Sequence, residues 1–123
     1  MESILTSIKK RLGLSEEYEA FDPEIIMEIN TAFFDLNRLG VGPSDVFFIE
    51  DDTSVWTDFI SADTKTVVRE AIKTYIYLRV KLGFDPPAST AHIEAINRRI
   101  DQLEWTINSA VESEAKVAEN EEG

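Results

Sequence analysis

The chain has 123 residues, no cysteine and a single histidine, and its 24 acids against 12 bases give a formal net charge of −12. This length fits one domain that buries roughly two-thirds of its unfolded surface. The composition excludes disulfides, thiolate metal sites, cysteine nucleophiles and multi-histidine centres, and it disfavours general nucleic-acid binding, which needs lysine and arginine to displace phosphate counterions.

Ile4, Leu5, Ile8 and Leu12 recur at helical spacing, and Gly13 ends the run. The pattern predicts a short amphipathic helix with Lys9, Lys10 and Arg11 in its last turn, where they suit the helix dipole. The basic residues follow the apolar ones and no apolar run is long, so neither a signal peptide nor a membrane span is expected. Leu14 to Asp22 reads as an acidic linker. Asp22-Pro23-Glu24 is a helix start, a capping residue followed by proline at the first helical position. The helix carries Ile25, Ile26, Ile29, Ala32, Phe33 and Leu36, runs to Leu39 and stops at Gly40, with Phe34 extending its apolar face. Val41-Gly42-Pro43-Ser44 is turn chemistry.

Val46-Phe47-Phe48-Ile49 is a short β-prone run followed by Glu50-Asp51-Asp52. It fits either one strand of a hairpin or an extended loop that tucks two phenylalanines into the core, and periodicity does not choose at this length. Thr53-Ser54 then caps a short helix with Val55, Trp56, Phe59 and Ile60. Residues 15 to 58 hold twelve acids and only Arg38 as a base, a surface that suits solubility or a wall past which DNA slides without sticking.

The first long helix runs from Asp63 to Phe84, capped by Asp63 or Thr64. Val67, Val68, Ala71, Ile72, Tyr75, Ile76, Leu78 and Leu82 form one broad apolar face. Lys65, Arg69, Lys73, Arg79 and Lys81 oppose one acid, Glu70, so an acidic chain contains one basic helix. Phe84-Asp85-Pro86-Pro87 forms a stiff elbow, because two prolines supply no backbone donor and push their neighbours out of the helical region. A second long helix follows from Ser89 to Glu112. Its Ile93, Ile96, Ile100, Leu103, Ile107 and Ala110 are spaced by 3, 4, 3, 4 and 3 residues, a narrow seam that fits packing against the first helix or against another subunit. Trp105 lies off that seam and needs a second surface to cover it. His92 reads as a plain surface residue. The expected architecture is all-α: a small helical bundle with two long helices joined at the Pro-Pro break and a loop or short β-hairpin in the middle. Residues 1–112 form the helical domain, and 113–123 form an acidic, flexible C-terminal tail.

No phosphate loop, nucleophile elbow, zinc-protease or calcium-loop pattern is present. Consecutive Glu50, Asp51 and Asp52 point in different directions and lack the alternation of a calcium loop. The chain reads as a non-enzyme with no cofactor and no metal. A small acidic adaptor domain that binds one protein partner is the alternative reading of these residues.

Three stretches resemble the head–tail connector proteins of tailed bacteriophages, the head-completion adaptors beneath the portal. They are Ile29-Asn30 with Leu36-Asn37-Arg38-Leu39-Gly40-Val41-Gly42-Pro43; then Trp56-Thr57-Asp58-Phe59-Ile60; then Lys73 through Pro87 with Leu103-Glu104-Trp105. The aromatic-rich basic helix broken by Phe-Asp-Pro-Pro is the most specific, and Gly83 departs from the bulky apolar residue expected there. The resemblance implies a structural virion protein made in the bacterial cytoplasm and placed at the head–tail interface. It implies a homo-oligomeric ring, commonly of twelve copies, that joins the portal to a stopper or tail-completion protein. Double-stranded DNA passes through such a ring during packaging and ejection without sequence-specific binding. On this reading Lys73, Arg79 and Lys81 meet acids of the adjacent subunit or the portal, Trp105 helps cover the subunit contact, and the 44–54 loop or the tail reaches a partner or the lumen. A ring requires one face to meet a different face, and faces of opposite charge set its register.

Overall fold

The computed structural model describes the backbone of residues 2–122 and the side chains of residues 2–113. Five helices follow in chain order: α1 (Ile4–Arg11), α2 (Asp22–Arg38), α3 (Trp56–Phe59), α4 (Thr66–Phe84) and α5 (Thr90–Glu122). The fold is all-α, and the β-pairing among the described residues is one isolated bridge, Ser3 to Val55. Val46–Ile49 is therefore an extended loop rather than half of a hairpin. The bridge joins the start of α1 to the start of α3, where Ile4 N–H also donates to the Ser54 carbonyl at 3.0 Å.

α4 is the middle of the molecule. It packs against α2 on one side and α5 on the other, with α1 touching both α2 and α4. From Ala71 to Leu82 no residue is fully exposed, whereas a surface helix keeps a solvent face. Ile72, Tyr75, Ile76 and Val80 of α4 meet Ile25, Ile29, Ala32, Phe33 and Leu36 of α2 and Ile100, Leu103 and Ile107 of α5 in one core. Each large aliphatic buried there contributes about 1.5–3 kcal/mol. The α5 seam thus lies against α4 within the chain. Glu28 and Asp35 of α2 meet Gly83 and Arg79 in reverse order, and Ile100, Glu104 and Val111 of α5 lie by Leu82, Tyr75 and Val68, so α2 and α5 both run antiparallel to α4 and parallel to each other.

Local chemistry explains most boundaries. Gly40 ends α2 in the left-handed conformation, with φ 85°, where a Cβ is costly and glycine is not. Ser3 caps α1, its hydroxyl accepting from Thr6 N–H. Between α4 and α5 lie Asp85 to Ser89, including both prolines, and Ser89 Oγ accepts from His92 N–H at 3.5 Å.

Several expectations require correction. α2 has Phe21 at its cap, because the Asp22 carboxylate is turned to Lys9 instead. α3 is capped not by Thr53-Ser54 but from within: the Asp58 carboxylate accepts from Val55 N–H at 2.9 Å. α4 starts at Thr66, later than expected, because the Arg69 guanidinium draws the preceding loop away through the carbonyls of Ala62 and Thr64 at 2.9 and 3.1 Å. Only Phe47 of the two loop phenylalanines turns inward, stacking edge-on against Phe33 and tilted on Phe59. Phe48 faces out, since successive side chains of an extended segment point in opposite directions. α5 continues past Glu112 to Glu122. The side chains of the acidic tail, beyond Ser113, lie outside the described residues.

Candidate partner interface

The cations of α4 are occupied within the chain. Arg79 pairs with Asp35 of α2, which also holds Arg38, and the Arg79 guanidinium lies 5.9 Å from the Tyr75 ring centre. Lys73 stands 5.3 Å over the Trp56 ring and 3.9 Å from Glu70, a carboxylate it shares with Arg11 of α1. Lys81 reaches Asp85 at 2.8 Å, one turn on, at the elbow. An arginine over an aromatic ring and beside a carboxylate is held by both attractions. Lys73, Arg79 and Lys81 thus tie α3, α2 and the elbow to the central helix, and Glu70 ties α1 to it through Arg11. Phe84 packs edge-on against Phe21, with ring centres 5.3 Å apart. Asp85 and Pro86 are exposed and Pro87 is half-buried.

A further cation is more deeply placed. Lys9, expected at the surface of α1, is 2% exposed. Its ammonium lies 2.9 Å from Asp22 Oδ1 and donates to the Glu16 carbonyl at 3.0 Å. The contact with Asp22 is ionic rather than a well-aligned hydrogen bond. It closes the acidic linker over the end of α1. Helical spacing alone does not reveal this, because the partners are far apart in sequence.

Tyr75 is fully buried and donates to Glu104 Oε1 at 2.8 Å. Burial, reinforced by the Glu104 carboxylate, pushes its hydroxyl well above the ordinary tyrosine range. The Asp51 carboxyl is held below its ordinary value by the hydroxyl and amide of Thr53. This is turn chemistry in an exposed loop. Among the described residues no three of His, Cys, Asp and Glu converge as metal ligands, and no helix is long and apolar enough to cross a membrane.

Two residues within the stretches that carry the resemblance have clear structural roles. Asn30 pairs with the backbone of Ile49 in both directions, accepting from its N–H at 2.8 Å and donating to its carbonyl at 3.0 Å. One side chain so does the work of a neighbouring strand. Asn37 donates to the Pro43 carbonyl at 3.2 Å. Together they pin both ends of the 43–49 loop to α2. Gly83, where a bulky apolar residue was expected, lies under the Glu28 side chain, and an added Cβ would collide with that carboxylate.

The uncovered groups lie elsewhere. Trp105 is 73% exposed on the side of α5 opposite the seam. On α2, Met27 and Phe34 are 67% and 56% exposed, with Thr31 between them at helical spacing. Phe48 is 58% exposed next to the pinned Ile49 and close in sequence to Glu50 and Asp51. Large aromatics left bare on a small domain are candidates for contact surfaces. Between α2 and α5, over Leu82 and Gly83, a cleft of about 250 Å³ is lined by Glu28, Thr31, Asn97 and Ile100.

The uncovered groups of this five-helix chain lie on its outer faces. Residues 4–114 match the family model described as phage connector protein, so the chain belongs to the phage connector family. That family is structural, acts at the head–tail junction of the virion and interacts with other phage structural proteins. No curated protein and no solved structure matches the chain.

Proposed function

We propose that this chain is the repeating subunit of a ring beneath the portal, joining the portal to a stopper or tail-completion protein while the genome passes through the centre. The observation that carries this reading is the bare Trp105 on an otherwise polar helix face, in a subunit whose core is already closed. In this role Trp105 belongs to the contact between subunits. Lys73, Arg79 and Lys81 support it from inside, holding α4 between α2 and α5 and so fixing the distance between the outer faces. Phe84, Asp85, Pro86 and Pro87 set the direction in which α5 leaves the core. The 44–54 loop, with Phe48 exposed and its first part pinned by Asn30 and Asn37, meets the portal or the stopper. The tail, 113–123, forms a second part of the molecule and extends α5 toward the same neighbours. The net charge of −12 lets DNA pass without adhering.

Electron micrographs of the purified chain, alone and mixed with its portal, test this reading. Rings, alone or on the portal, are expected. A chain that stays at 13.9 kDa with the portal present supports the single-partner adaptor instead. Removal of residues 113–123 is expected to weaken portal binding while leaving the helical body folded, as circular dichroism would report.

A further inference from the structure

We infer that the α5 face carrying Arg98 and Trp105 docks onto the α2 face carrying Met27 and Phe34 of a second copy of this chain, so that each copy uses two different faces. This inference rests on the ring reading and adds to it the two surfaces that meet. Three observations support it.

The first is placement. The two bare faces belong to the two helices that flank α4, and both point away from it. Arg98, Gln102 and Trp105 lie on one stripe of α5 at steps of 4 and 3, and Met27, Thr31 and Phe34 form the matching stripe of α2. A contact between two copies of α5 covers Trp105 but leaves Met27 and Phe34 bare. A contact between two copies of α2 leaves Trp105 bare. Only unlike faces meeting cover Trp105, Met27 and Phe34 together through one repeated interface, and repetition of such an interface closes a ring when its rotation closes.

The second is height. α2 and α5 run in the same direction, and Thr31 and Asn97 line the same cleft. Counting from that level at about 1.5 Å per residue, Phe34 and Trp105 lie within about 8 Å of the same height. Neighbours related by rotation about an axis parallel to these helices need no shift along it, so Trp105 arrives within about 8 Å of the height of Phe34.

The third is charge. Among the described residues Arg98 and Arg99 have no acidic partner within the chain, and neither Glu24 nor Glu28 of α2 has a basic one. In the same register Arg98 comes about one helical turn, roughly 6 Å, from the level of Glu28. A tryptophan set near a phenylalanine, with an arginine one turn from a carboxylate, matches the composition of binding hot spots.

Because the chain lacks cysteine, the contact can be tested by cross-linking on a clean background. Phe34→Cys and Trp105→Cys replace exposed side chains, and melting curves confirm that each variant folds. A short bismaleimide is added in the presence of the portal. The double variant is expected to give a ladder of dimers, trimers and higher species, because every copy carries both halves. An equimolar mixture of the two single variants is expected to give mixed dimers that stop there. Dimers from Trp105→Cys alone mean that α5 pairs with itself and overturn the inference. Wild-type rings in micrographs without any ladder from the double variant also overturn it, and leave the connector reading standing. Absence of rings both alone and on the portal removes the connector reading itself. As an independent check, Arg98→Glu is expected to weaken assembly about tenfold, and Glu24→Lys with Glu28→Lys in the same chain is expected to restore it. Unchanged assembly on reversing Arg98 contradicts the proposed register.

Discussion

The two long helices carry their polar groups in opposite ways. α4 is rich in cations, yet those expected to meet a neighbouring subunit have partners inside the chain, on Asp35, Glu70 and Asp85. α5 is no richer in bases, but it leaves a tryptophan and two arginines uncovered. The sign of a helix's charge therefore does not identify it as an interface. What matters is whether the rest of the chain has already answered that charge. α4 is central because α1, α2, α3 and α5 all need its surface, so its lysines and arginines bind the subunit together. α5 uses its seam against α4, and its opposite face is left uncovered within the chain.

This contrast can be broken at its strongest point first. Lys9 is the most deeply buried cation, and Lys9→Ala leaves the Asp22 carboxylate without its partner. A loss of about 3 kcal/mol in urea unfolding is expected. Arg79→Glu places a carboxylate against Asp35 at a partly exposed site, and a loss of about 2 kcal/mol is expected, read in the same unfolding curves. An Arg79 reversal that leaves monomer stability intact while preventing assembly would return that residue to the subunit contact.

Tyr75 sharpens the comparison through pH. Its folded pKa is raised, so above pH 10.0, the ordinary tyrosine value, the unfolded chain releases a proton that the folded chain keeps. Stability then falls with rising pH by up to about 1.4 kcal/mol per pH unit. Below that value both states are protonated and the dependence vanishes. The difference between wild type and Tyr75→Phe, measured by denaturant unfolding from pH 9 to pH 11, isolates this contribution from the lysines that titrate nearby. The smallest expected effect on folding is that of Trp105→Ser, within about 0.5 kcal/mol, because the ring is already in water.

Much of the helical framework was legible in the sequence. Ile4 to Leu12, Asp22 to Leu39 and the region ending at Phe84 are periodic, and glycine or proline marks their ends. Trp105 was also legible as a residue displaced from its helix's seam. The long-range polar contacts were not. Lys9 looks like any basic residue in a last helical turn until Asp22 folds over it, and Asn30 gives no local sign that it holds Ile49. The central position of α4 depends on how many elements share its surface, which no single helix encodes. Val46 to Ile49 was too short for periodicity to decide, and it was the Asn30 side chain rather than a second strand that satisfied Ile49. Gly83 lies under the Glu28 carboxylate of another helix, a contact its own segment does not announce.

The most direct test of the account is the mass distribution of Trp105→Ser with the portal, beside a wild-type control that assembles. The account predicts a folded variant that remains at the mass of a single chain. Wild-type-like rings formed by that variant would contradict it.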